Sequence, residues 1–230
     1  MREVDFCGHA TIAILYDLLL SNPALAEKTT IRLVTQHNQL EAQNRIATED
    51  AVYIRAPEPR LLQPTLDPAQ LAAALRMQVS DLHAGFPLAA LQVGLKCLLV
   101  PLAGLTALRA VHPDLSELDA FCKAIGVDIV TLFTPETHLT HCRWRSRVFA
   151  ATFGYLEDPA TGSGNAALGH YLLQQGAWNG EPLTLEQGTS LEHPNQIQLR
   201  TEPGSQGQPQ VWFGGGAVTR IAGRYYLARE

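Results

Sequence analysis

The chain has 230 residues, 46% of them hydrophobic and 17% charged, and carries a net charge of −5. That balance suits a globular protein with a sizeable core, as one large domain or two small ones. It gives no basic footprint for nucleic acid. A signal peptide is not expected at the start, because Glu3 and Asp5 stand where positive charge belongs and Asp17 interrupts the apolar run. The long apolar tract from Phe86 to Leu105 contains Pro87, Gln92, Lys96 and Pro101, so it predicts buried strands rather than a membrane span. Cys7, Cys97, Cys122 and Cys142 are not closely paired and three lie in apolar surroundings, the pattern of a cytoplasmic protein with free thiols.

In chain order, Gly8-His9 is followed by a helical pattern from Ile12 to Leu20 that ends near Asn22-Pro23. Three alternating segments come next: Thr30 to Val34, Gln39 to Ala42 and Ala51 to Arg55. Period-two alternation with turn residues between predicts half-buried antiparallel strands. Pro57 to Pro68 is proline-rich and marks a boundary, and Asp67-Pro68 starts a helix with proline at its first position. A second helix is expected over Asp114 to Ile125, stopped by Gly126 and followed by a strand at Ile129 to Phe133. Arg143, Arg145 and Arg147 alternate as strand residues do and are expected on a solvated strand face. Another strand, Val148 to Phe153, runs into Glu157-Asp158-Pro159-Ala160-Thr161-Gly162-Ser163-Gly164-Asn165. A helix leaves that loop through Ala167, Leu168, Tyr171 and Leu172 and stops at Gly176. Strands are expected at Leu183 to Glu186, Gln196 to Arg200 and Gln210 to Phe213, with a further strand-like stretch from Gly215 to Leu227.

A glycine loop, a helix and three strands therefore occur twice, in matching order and at similar spacing. Such self-similarity predicts two related lobes, each a curved sheet around a helix. The expected division is an N-terminal lobe over 1–62, joined by 218–230, and a C-terminal lobe over 63–217.

The second loop carries the most chemistry. N–H groups at a helix N-terminus lack intrahelical partners and sit at the positive end of the dipole, which favours an anion. Gly162 and Gly164 allow close approach of a ligand, Asp158 can exchange a proton, and Ser163 can hydrogen-bond a carboxylate. An Asp-Pro turn before an ordinary helix start is the plainer reading of the same residues. The loop is neither a Rossmann fingerprint, since the third glycine falls at 169, nor a P-loop, since no lysine follows. The repeat sets Gly8-His9 in the equivalent place. Two facing helix N-termini would hold a small carboxylate and place side chains on both its faces, an arrangement suited to proton transfer at the neighbouring carbon.

Cys7-Gly8-His9-Ala10-Thr11, Arg147-Val148-Phe149-Ala150 and Glu157-Asp158-Pro159-Ala160-Thr161-Gly162-Ser163 together resemble the PhzF-like family of phenazine biosynthesis, which has the diaminopimelate epimerase fold. The resemblance runs the length of the chain and includes Gly94-Leu95, Val100-Pro101 and Pro113-Asp114-Leu115. It implies an α+β fold of two pseudo-symmetric lobes, each a curved, mostly antiparallel sheet around a central helix. It implies a cofactor-independent isomerase or epimerase that shuttles protons on a small carboxylate-bearing metabolite, usually as a homodimer. By motif, His9 and Asp158 match catalytic positions, while Cys7, Gly8, Gly162 and Ser163 are assigned to substrate binding. No cofactor, metal, nucleic acid or membrane partner is implied.

The family's principal acid/base is a glutamate upstream of the glycine-histidine pair, and this chain starts just before that pair. Glu3 and Glu157 are the nearest acids, and neither has the matching context. The first lobe is therefore expected to be incomplete, with an unpaired sheet edge and an uncovered helix, and the chain nearly inactive. The alternative is a truncated or degenerate scaffold that binds a small acid or a protein partner. A racemase using two thiols is disfavoured, because Cys7 has no counterpart in Asp158-Pro159-Ala160-Thr161-Gly162. Taken alone, Cys7 reads as a small buried residue. His138-Leu139-Thr140-His141-Cys142 lacks a fourth zinc ligand nearby and is assigned to packing, and His170 to the interior of the second helix.

Overall fold

The computed structural model describes residues 7–35, 39–204, 207–224 and 226. The expected Val4-Asp5-Phe6 strand and Glu3 lie outside these residues. Among them, no helix is long and apolar enough to cross a membrane.

The repeat is visible as topology. Helix α1 (Gly8–Ser21), with the short α2 (Pro23–Ala26) behind it, leads into β1 (Thr30–Val34), β2 (Gln39–Arg45), α3 (Ile46–Glu49) and β3 (Ala51–Arg55). Then come β4 (Arg60–Leu62), α4 (Pro68–Leu75), β5 (Ala89–Val93), β6 (Leu95–Pro101), α5 (Leu105–Ala110), α6 (Leu115–Ile125), β7 (Ile129–Thr134), β8 (Trp144–Phe149) and β9 (Glu157–Asp158). Helix α7 (Gly162–Gln174) then leads into β10 (Leu183–Gln187), β11 (Asn195–Pro203) and β12 (Pro209–Gly215). Both antiparallel triplets, β1-β2-β3 and β10-β11-β12, follow their helix in the same way.

The triplets meet where β3 pairs antiparallel with β12, Ile54 opposite Phe213. One curved sheet results, in the order β1-β2-β3-β12-β11-β10-β8-β7-β6-β5-β4, with β9 paired to β8. It is mixed rather than purely antiparallel, since β10–β8 and β6–β7 are parallel.

Burial separates the two repeats. Helix α7 packs against β5, β6, β7, β11 and β12, and of Gly162 to Leu172 only Ser163 escapes burial. A helix apolar all round is one enclosed all round. Around α7 lie Cys97, Leu99, Ile129, Phe133, Val148, Leu199 and Phe213. The alternate residues Leu98, Val100, Val130, Leu132 and Phe149 point to the other face, beneath α4, α5 and α6. Because β6 and β7 are covered on both faces, they read as mostly apolar runs, broken by Lys96 in β6 and by Thr131 and Thr134 in β7. The outer helix α6 shows its own signals: Asp114 caps it, Leu118 and Cys122 form its buried stripe, and Gly126 ends it in the left-handed region at φ 72°.

In α1 only Leu15 and Leu19 are buried, while Ile14, Leu18 and Leu20 are 60%, 43% and 63% exposed. Val34 on the edge strand β1 is also exposed. The expectation of uncovered apolar surface on this helix and edge is met.

Three expectations are corrected. Arg145 and Arg147 do not face solvent, being 0% and 2% exposed. Alternation placed them correctly on one face of β8, but that face is roofed by α5 and by loops. Arg145 pairs with the fully buried Glu186 and donates to the carbonyls of Gly188 and Ser190. Arg147 donates to the Leu108 and Val111 carbonyls at the end of α5 and grips Glu157 with two bonds of 2.8 and 3.0 Å. The strand expected over Val148 to Phe153 ends at Phe149 and turns into a short 3₁₀ helix, Ala151–Phe153. Beyond Gly215, residues 216–224 form no strand.

Candidate active site

The N-termini of α1 and α7 abut. A Cβ added to Gly8 would lie 3.4 Å from the Gly162 Cα and 3.1 Å from the Phe213 ring. A Cβ at Gly162 would run into the Phe213 ring and one at Gly8 would crowd it, so the close approach of both helix starts to that ring favours glycine at both.

These two starts differ from those of the other α-helices. Asn22 caps α2, Asp67 caps α4 and Asp114 caps α6. Asn44 accepts from the first N–H of α3, and Glu136 from that of α5. Among the described residues, no side chain accepts from the first turn of α1 or α7, and neither turn carries an acid. The open N–H groups and positive dipole ends of two helices therefore converge at one place, where an anion is stabilised.

A cleft of about 60 Å³ opens there, and its lining includes Cys7, Gly8, His9, Asp158, Gly162 and Ser163. All six residues singled out in the sequence thus share one wall. Tyr155 lines it too, and burial, with the Asp158 and Cys7 charges adding, raises its phenol above the usual range, which keeps it a hydrogen-bond donor. A larger groove of about 380 Å³, lined in part by Arg60, Gln92 and Phe213, adjoins this cleft and shares Leu95 and Ser163 with it.

His9 Nδ1 lies 2.9 Å from the Ala160 carbonyl. A carbonyl only accepts, so Nδ1 carries the proton and Nε2 presents a lone pair. The Cys7 Sγ lies 3.6 Å from that Nε2. Burial pushes the thiols of Cys97, Cys122 and Cys142 up to about 12, 12 and 11. Of the four thiols, Cys7 is the one on the cleft.

Asp158 is 7% exposed, and its Oδ2 accepts from the Thr161 hydroxyl. The Gln187 amide spans the loop, accepting from the Thr161 N–H at 3.0 Å and donating to the Asp158 carbonyl at 2.7 Å. Asn195 holds the Pro159 carbonyl at 2.8 Å. Sequence reasoning passed over Thr161, Tyr155, Gln187 and Asn195. The first two stand in or beside the glycine motif and were findable there. Gln187 and Asn195 come from strands 26 and 36 residues further on than the groups they hold, with no local signal. Glu157 is held by Arg147. His138 and His141 lie elsewhere, bound through the His138 backbone to Glu186 and through the His141 ring to Gln196. No metal-binding cluster occurs among the described residues.

The model of the phenazine biosynthesis-like protein family (PhzC-PhzF) matches residues 1–223. An uncharacterized isomerase of Deinococcus radiodurans is 30% identical, covering 96% of this chain and 73% of the relative. The trans-2,3-dihydro-3-hydroxyanthranilate isomerase of Pseudomonas aeruginosa is 29% identical over 70% of this chain and 54% of its own. The crystal structure of a PhzF-family phenazine biosynthesis protein from Bacillus anthracis superposes with a TM-score of 0.81 at 22% identity, covering 94% of this chain and 74% of that one. A family match over nearly the whole length, with the glycine-histidine and Asp-Pro loops brought to one cleft, places this chain in the phenazine biosynthesis-like family.

Proposed function

We propose that the protein is an isomerase that moves a proton on a small carboxylate-bearing substrate, between the N-termini of α1 and α7. The observation that carries this reading is the pair of uncapped helix starts meeting at Gly8 and Gly162, with His9 and Asp158 on the same cleft. Each helix terminus stabilises an anion by about 0.3–1 kcal/mol at an exposed site, and up to ~2 when partly buried. The open N–H groups of both first turns, with the hydroxyls of Ser163 and Tyr155, hold the carboxylate. That neutralises charge developing on it as a proton leaves a carbon in conjugation with it.

His9 Nε2 and the Asp158 carboxylate are the groups that take and return the proton. One removes it from the first carbon, and the protonated group or its partner delivers it to the second. The oxidation state of the substrate is unchanged and no group is transferred, so the reaction draws on acid/base side chains alone, without a cofactor. Cys7 lines the site without being required. The cleft of about 60 Å³ accommodates the carboxylate, and the adjoining groove accommodates a ring. The activity named for the Pseudomonas aeruginosa relative makes trans-2,3-dihydro-3-hydroxyanthranilate the first substrate to test. The same reading takes the protein as a cytoplasmic homodimer.

The test is solvent-deuterium incorporation into that acid, followed by mass spectrometry. Incorporation that persists in Cys7→Ser and is lost in His9→Ala and Asp158→Ala supports the reading. Saturable binding with no incorporation assigns the protein instead to small-acid binding without catalysis, and equal loss in all three variants points to thiol chemistry.

A further inference from the structure

Asp158, the proposed proton carrier of the second glycine loop, is backed by polar side chains to which the proposed reaction assigns no part. Ser146, Asn165 and Gln187 are 0% exposed, and Thr161 and Asp158 are each 7% exposed. Each hydrogen bond among them has a determinate direction, because main-chain groups anchor both amides. Asn165 Nδ2 lies 2.9 Å from the Thr161 carbonyl, which only accepts, so that atom is the amide nitrogen. Its Oδ1 therefore faces Ser146, whose hydroxyl donates at 2.9 Å. Gln187 Oε1 receives the Thr161 N–H at 3.0 Å and Asn165 Nδ2 at 2.6 Å. Gln187 Nε2 is then left to donate to the Asp158 carbonyl at 2.7 Å and to Thr161 Oγ1 at 3.1 Å.

A threonine hydroxyl has one proton. Thr161 Oγ1 accepts from Gln187, and with Asp158 ionised its own proton goes to Asp158 Oδ2. Oδ2 thereby already accepts one hydrogen bond, which weakens it as a base relative to Oδ1. We propose that this buried relay, running from Asn165 through Gln187 and Thr161, restricts proton exchange at Asp158 to its other oxygen, Oδ1. Thr161 and Gln187 are thus positioning residues: Gln187 stands behind the cleft, Thr161 reaches its wall, and both act through Asp158 by settling which carboxylate oxygen takes up and releases the proton. Among the described residues Oδ1 has no hydrogen-bond partner, and Asp158 lines the cleft. The inference rests on the reading of Asp158 as a proton carrier.

Two measurements on the whole protein test it. The first needs no substrate: by NMR, the Thr161 hydroxyl proton is observed as a slowly exchanging signal correlated with the Thr161 Cβ. The second is deuterium incorporation into trans-2,3-dihydro-3-hydroxyanthranilate by Thr161→Val, Thr161→Ser and Gln187→Met. Misplacement of a reacting group on the scale of 1 Å costs about 10²-fold. Thr161→Val and Gln187→Met are expected to lower kcat by about that factor with KM unchanged, and Thr161→Ser to restore most of it. Gln187→Met carries the same test through a second residue if Thr161→Val fails to fold. A freely exchanging hydroxyl proton, or wild-type kcat in either Thr161→Val or Gln187→Met, overturns the relay. A protected hydroxyl proton in a protein that incorporates no deuterium leaves the relay standing and overturns the functional reading instead.

Discussion

Gly162→Ala is a one-carbon test of how closely the two helix starts must meet. The added methyl would fall 2.7 Å from Phe213 Cδ2 and 2.9 Å from its Cζ. Phe213 is 2% exposed, and its neighbours across the sheet are Ile54 and Leu199. The ring must swing toward the groove it lines or α7 must shift away from β12, and either movement breaks the present packing. Overpacking of this kind costs about 1–3 kcal/mol. The helix propensity of alanine offsets little at the first helical position, where the N–H is unpaired in any case. With about 2 kcal/mol lost, Tm falls by roughly 4–8 °C for a chain of this size. Urea denaturation should show the lower midpoint without a change in slope. In a Phe213→Leu background the same methyl should cost less than half as much, because the clashing ring atoms are gone. A Gly162→Ala protein within about 0.5 kcal/mol of wild type, the range of an indifferent surface change, would refute the close packing. So would a cost that is equal in both backgrounds.

His170 is 5% exposed with its Nε2 unpaired, and burial pushes its imidazole from the ordinary 6.5 down to about 4. The folded state keeps it neutral while the unfolded chain takes up a proton below 6.5, so stability is full above that pH and drains as pH falls toward 4. The expected loss is about 1 kcal/mol at pH 5.5 relative to neutral pH. Urea titrations at the two pH values measure it, and a His170→Phe protein should lose less. Arg145→Leu leaves the fully buried Glu186 with only the His138 and Leu139 N–H groups as partners. Breaking a buried pair in this way costs about 3–5 kcal/mol, which differential scanning calorimetry would register; a loss below ~1 kcal/mol would contradict the burial of the pair.

Much of the fold was legible because alternation and repetition are local signals. The Thr30 to Val34 and Ala51 to Arg55 strands have the bounds their alternation predicts, and the helix at Leu115–Ile125 starts and stops at Asp114 and Gly126. The meeting of Gly8-His9 with Gly162-Ser163 followed from the repeat, since equivalent helices packed about a pseudo-twofold axis bring equivalent ends together. What failed was the environment of correctly placed residues. Alternation says that Arg145 and Arg147 share a face of their strand, and says nothing of what covers it. The roof over that face is made by α5 and by loops distant in sequence. The Gln187 clamp escaped notice for the same reason, because a glutamine at the end of a strand has no local signature of the loop it holds. The stretch beyond Gly215 reads as strand by propensity, yet in residues 216–224 it pairs with nothing, and an extended segment becomes a strand only through a partner.

The central claim is that the uncapped N-termini of α1 and α7 bind a carboxylate together. Titrating ¹⁵N-labelled protein with anthranilate and following backbone amide shifts tests this most directly. The account predicts that the amides of Gly8, His9, Gly162 and Ser163 move with one shared saturation curve, while Ala69 and Ser116, already bonded to Asp67 and Asp114, stay still. Movement at the capped helices alone, or at either glycine loop without the other, would contradict it.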